Sequence, residues 1–289
     1  MRPTLRTAVI GIAAVLAGAA GPAAAGAERA VPQRIMSLNL CTDLLVLQLA
    51  PKSRIVSVSF LAHEGVQALF PGLDAGVPVN RGSAEDIVRA RPDLVLDSEL
   101  ASPFVRTLAG KVGARVVAVK DADNFADIRD IVRQVGEAVG EPVRAQALIA
   151  RMDATLADLA AHPPKRRLRV VAWSGGSAVP GKGSLTDAII TAAGGVNIAA
   201  QAGHSEGSFG VEELLAARPD LLLYGGAALG KPSLLTDEAQ HRVVRELYAG
   251  RRIAYNDVAH TCGLPQSADS ARDLRQAMAT VIANQEAAR

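Results

Sequence analysis

Apolar positions recur along this chain in one frame that appears twice. In 83–96 an acidic first turn (Glu85, Asp86) leads into apolar residues at helical spacing, which stop at a proline and give way to a short apolar run. The same order returns in 210–223, and both copies contain Ala-Arg-Pro-Asp-Leu, at 90–94 and 217–221. Each frame predicts a helix, a break at proline and a parallel strand covered on both faces. Further strands are expected at 34–38, 55–59, 115–119, 169–173 and 252–255. Helices are expected at 42–50, 126–139, 142–162, 185–193, around 238–247 and from 268 onward. The helix from Pro142 carries Leu148, Met152, Leu156 and Leu159 on one stripe and spans roughly 30 Å. It predicts a stiff connector between two halves.

The fold class that follows is α/β: two Rossmann-like lobes with parallel sheets, joined by a long connecting helix, with a ligand cleft between them. The expected boundaries are 33–123 for the N-terminal lobe, 124–164 for the connector and 165–289 for the C-terminal lobe. Asn39-Leu40-Cys41, between a strand and a helix, is a loop of the kind that carries ligands at the carboxyl end of a parallel sheet. Thr186-Asp187 of the second half occupies the place of Thr42-Asp43 in the first.

Residues 1–25 read as a cleaved secretory signal peptide: Arg2 and Arg6, an apolar stretch from about Ala8 to Ala20, then small residues. The stretch is too short to span a membrane, and no cysteine follows it to carry a lipid. The chain is expected to be exported. The chain holds 31 basic and 29 acidic residues, so loss of two leader arginines leaves the mature protein formally neutral. With that balance and 3% aromatic residues, nucleic-acid binding lacks both its charge and its stacking surfaces.

The opening Arg34-Ile-Met-Ser-Leu-Asn-Leu-Cys-Thr-Asp43 and the paired Glu-x6-Pro-Asp frames, on an exported two-lobed chain, resemble the class III periplasmic substrate-binding proteins of ABC importers. The resemblance covers about 33–285. It implies a monomer, without cofactor or catalytic activity, that carries a metal chelate (ferric siderophore, cobalamin or haem) to an ABC permease dimer in the inner membrane. The implied ligand contacts are Asn39, Leu40, Cys41, Thr42, Phe60, His63 and Arg81 from the first lobe. The second lobe contributes Trp173, Ser174, Lys182, His204, His260, Thr261 and Cys262. Glu85 and Glu212, each seven residues before its proline, are the implied permease-docking residues, with Asp86 and Glu213 as partners in that role. Phe60 and Trp173 are the candidate stacking surfaces in the cleft.

Cys41 and Cys262 are the only cysteines. In an oxidising compartment they are a disulfide candidate that would staple the lobes. As free thiols they would touch ligand or, with His63, His204 or His260, form a soft metal site. The spacing names no metal. Gly176 to Gly183 nearly matches a phosphate loop but lacks the terminal Ser/Thr, and no Gly-x-Ser-x-Gly elbow occurs. The competing readings are an exported thiol- or metal-dependent enzyme acting on a chelate, and a direct metal-ion binder.

Overall fold

The computed structural model describes residues 30–175, 179–201, 209–225 and 234–287. Two sheets, all of whose strand pairs are parallel, organise them. The first has the order β3-β2-β1-β4-β5, from β1 (Ile35–Ser37), β2 (Ile55–Ser59), β3 (Val79–Asn80), β4 (Leu94–Ser98) and β5 (Arg115–Val119). The second has the order β7-β6-β8-β9, from β6 (Arg169–Ala172), β7 (Val196–Asn197), β8 (Leu221–Gly225) and β9 (Arg252–Tyr255).

The unbroken apolar runs are explained by what covers each sheet. Side chains alternate between faces along a strand, and here both faces are buried. Ile35, Leu94 and Leu96 enter one large cluster, while Met36 and Val95 enter another with Ile87 and Ala109. In the second sheet Val170, Leu221 and Leu223 join the same large cluster, and Val171 and Leu222 face Trp173, Phe209 and Tyr248. The two sheets therefore share one core. Its middle layer is helical: α1 (Leu40–Leu49), α5 (Phe125–Val139), α6 (Pro142–Ala161), α7 (Leu185–Ala192) and the final α12 (Ser267–Ala287). A Cβ on Gly136 would lie 2.4 Å from that of Ala145, so glycine permits the close approach of α5 and α6. Arg275 of α12 donates to the carbonyls of His162 and Ala193, closing the ends of α6 and α7.

The repeated pentapeptide has a local structural reason. Helices α3 (Ala84–Ala90) and α8 (Val211–Ala217) both end on an arginine in the left-handed region, Arg91 at φ 44° and Arg218 at φ 45°. The proline then stops the helix, and the aspartate turns back to the neighbouring strand. Asp93 accepts from the amides of Gln33 and Arg34, and Asp220 from the amide of Arg169. Each Pro-Asp thus fixes where the adjacent strand begins.

Some elements differ from the sequence expectation. The segment 60–65 contains the start of α2 (Ala62–Leu69), and Pro103 opens α4 (Pro103–Lys111). The helix expected near 238–247 is two, α9 (Leu234–Ala239) and α10 (Arg242–Leu247), because the His241 side chain accepts from the Val243 amide and restarts the chain as a new helix. The segment 256–265 holds α11 (Asp257–Thr261), nucleated by the Asn256 side-chain oxygen, which caps the amides of Val258 and Ala259. The expected leader, 1–25, lies outside the described residues. No described helix is long and apolar enough to cross a membrane.

Candidate functional site

Parallel strands deliver their following loops to one edge of a sheet. At that edge of the first sheet a buried polar layer holds the strand ends in place. Asn39 caps α1 by accepting from the Cys41 amide, and the Thr42 hydroxyl donates back to the Asn39 carbonyl. The Ser37 and Thr42 hydroxyls lie 2.8 Å apart. Asp43 is fully buried and accepts from both the amide and the hydroxyl of Ser59, at 3.1 and 2.5 Å. Asn80 donates to the Ser37 carbonyl and the Ser57 hydroxyl. These bonds fix the residues before Phe60 and Arg81, the two outward-facing members of the layer's loops.

The second sheet repeats the device. Asp187 accepts from the Gly183 amide and from Asn197, and Asn197 ends β7 as Asn80 ends β3. The shared Val-Asn pairs at 79–80 and 196–197 carried this signal in the sequence.

Phe60 is 54% exposed, with the Arg81 guanidinium 5.9 Å from its ring centre. His63 is exposed and pairs with Asp74 at 2.8 Å. Leu40 is half-buried against the core. Two apolar residues absent from the sequence expectation stand at the same sheet edge: Leu100, 85% exposed in the turn after β4, and Phe104 in the first turn of α4. Their spacing from β2 through β1 to β4 gives an apolar rim roughly 10 Å wide.

In the second half, Trp173 is 1% exposed, packed with Phe209 and Tyr248, and its indole N–H donates to the Phe209 carbonyl. In this conformation it offers no stacking face, which corrects its expected role. Ser174 accepts from the Gly225 amide. Lys182 and Thr261 are exposed. His260 is buried against Tyr255, 4.3 Å between ring centres, and meets the Thr186 hydroxyl at 3.2 Å. His204 lies outside the described residues.

Cys41 and Cys262 form a disulfide with Cα atoms 5.0 Å apart. It sits in a seam where α11 packs on α2, where Asn256 donates to the Ala68 carbonyl and where a Cβ on Gly263 would collide with Ala122. The sulfurs are therefore unavailable as thiolates or metal ligands. With His63 paired to Asp74 and His260 buried, the described members of the soft metal site are not brought together. Among the described residues no group of three or more His, Cys, Asp or Glu side chains is placed to hold a metal ion.

Burial gives two groups opposite pH behaviour. Loss of hydration pushes the Asp43 carboxyl up to about 6, the bonds from Ser37 and Ser59 only partly offsetting it. Its protonation stabilises the fold fully below pH 3.8, a contribution lost as pH rises through 6. Desolvation lowers His260 to about 4, so its contribution is present above pH 6.5 and is lost as pH falls through 4. Each is about 3 kcal/mol, and over pH 4–6.5 they oppose one another. Asp43→Asn removes the acid-side gain and leaves the histidine loss. Its thermal midpoint is expected to fall more steeply than wild type from pH 6.5 to 4, as read by unfolding curves across that range; parallel curves would refute the assignment.

A family model described as periplasmic binding protein matches residues 38–252. Curated cobalamin-binding proteins from two strains of Halobacterium salinarum are 25% identical over 202 residues, covering 68% of this chain. The chain spans 55% of the length of those relatives. Among solved structures, the periplasmic haem-binding protein RhuT from Roseiflexus sp. RS-1, in apo form, is 27% identical with a TM-score of 0.68, covering 86% of this chain and 98% of that one. The periplasmic vitamin B12 binding protein BtuF of Vibrio cholerae shares the fold, at 16% identity and a TM-score of 0.62, covering 87% of this chain and 98% of that one.

Proposed function

Because this chain belongs to the periplasmic binding protein family, we propose that it binds a tetrapyrrole-type metal chelate, haem or cobalamin, at the strand-end edge between its two sheets. It hands that ligand to an ABC permease dimer in the inner membrane. The observation that carries the reading is the exposed apolar rim of Phe60, Leu100 and Phe104, with Arg81 beside the Phe60 ring. Such a rim suits a ligand that is broad and apolar on its face and anionic at its margin. The relatives described as binding cobalamin and haem support the same class. A chelate brings its own metal ligands, which fits a site whose described residues assemble no metal-binding group. Ferric siderophores are the second reading, favoured by the exposed cations Arg81 and Lys182, which suit catecholate or carboxylate oxygens.

We assign the chain to the periplasm, exported by its leader, with the lobes at 33–123 and 165–289 acting as a monomer. The reading involves no catalysis; the disulfide removes the nucleophile on which the competing thiol-enzyme reading would depend. The test is titration of the purified protein with haem, cobalamin and ferric siderophores, followed by absorption spectra and native mass spectrometry. One tetrapyrrole is expected to bind saturably at one to one. Phe60→Ala is expected to weaken it at least tenfold, since it removes an exposed aromatic face with no structural role in the core. Binding of a siderophore alone would select the second reading, and binding of neither class would overturn both.

A further inference from the structure

At the opposite end of α1 from the Phe60 loop lies a groove of about 1080 Å³. It contains none of the residues of the proposed chelate site, and its volume slightly exceeds the usual range for small-molecule sites, about 300–1,000 Å³. Both halves of the molecule build it, through the end of α1, the turn at 70–73, α6 and the start of α12. Its floor is apolar, with Leu47, Leu148, Met152 and Pro265 buried beneath it.

Its rim is cationic. Arg144, Arg151, Arg272 and Lys52 line it against one acid, Asp269, which Arg272 already holds at 2.8 Å. Arg144 donates to the Leu49 carbonyl and Lys52 to that of Ala75. The exposed guanidinium of Arg151 has no partner among the described residues. In the wall, Gln266 donates to the Gln48 side-chain oxygen and so ties the two halves together beside the groove.

We propose that this groove is a second ligand site, for a single-chain amphiphile with an anionic head. The chain lies on the Leu148–Met152 floor and the anion meets Arg151. The site is independent of the chelate reading, since the two share no residue. Because the groove joins α1, α6 and α12, occupancy ties together the same elements that join the two sheets.

The probe is 1-lauroyl-glycerol-3-phosphate below its micellar concentration, titrated calorimetrically into the disulfide-intact protein. One-to-one saturable binding is expected, at least tenfold weaker in Arg151→Glu, an exposed change that leaves the core intact. Thr155→Trp, which fills the groove from α6, is expected to abolish it while haem or cobalamin titration is unchanged. Dodecyltrimethylammonium, with the same chain and the opposite charge, is expected not to bind. Absence of saturable binding, equal binding of the cationic amphiphile, or an unchanged affinity in Arg151→Glu would overturn the proposal.

Discussion

Replacing Cys41 and Cys262 together with alanine is expected to lower the stability of the protein by about 5 kcal/mol. The bond joins residues 221 apart in sequence, and cross-linking a loop of that length removes chain entropy worth about that much from the unfolded state. For a chain of this size the thermal midpoint should drop on the order of 10 °C. Alanine is the suitable replacement because Cys262 is wholly buried and a serine hydroxyl there would lack water. Calorimetry on the oxidised wild type and the double variant makes the measurement. A shift under about 2 °C would mean that the packing of α11 on α2 holds the seam without the bond. The same variant is expected to sample wider openings, since the bond lies in the seam between the two sheets.

The second large effect concerns delivery. Glu85→Ala combined with Glu212→Ala is expected to abolish ligand uptake by cells while leaving the affinity of the purified protein unchanged. The structure separates the acidic residues of each frame by what they do. Asp86 accepts from the amides of Arg81 and Ser83, and Glu213 from that of Gly210, so both are turned inward as helix caps. Glu85 and Glu212 are exposed on the outer surface of the same first turns. Hydrogen bonds from its own amide and from Ser83 hold the Glu85 carboxyl below its ordinary range, so it is ionised throughout the working pH range. Normal uptake by the double variant would remove the docking assignment, and lost affinity would place these residues in ligand binding.

The architecture was legible because its signals are periodic and long. The strands other than the two-residue β3 and β7, with α5, α6 and the paired frames, follow from runs of apolar residues and from prolines at fixed places. The short helices α2, α4 and α11 escaped because five to nine residues carry too little periodicity, and only a cap or an N-terminal proline marks them. The site was less legible. An aromatic residue after a strand, Trp173, reads as cleft-facing until Phe209 and Tyr248, 36 and 75 residues later in the chain, close over it. His260 reads as a loop ligand until Tyr255 and Thr186 enclose it. Leu100 and Phe104 look like ordinary apolar residues, and only their exposure gives them away. The pairing of two lone cysteines could not be decided from spacing, because it depends on how the halves meet.

The core shared by the two sheets also bears on how this chain comes into being. Its buried cluster begins at Ile35 and still recruits Leu274, Met278 and Val281 near the other terminus. A growing chain therefore has no point at which its first half is finished and covered. The core is completed only when α12 arrives, so a nascent chain keeps part of its apolar surface uncovered until almost all of it is present. Lateness of closure would suit the export proposed for this chain.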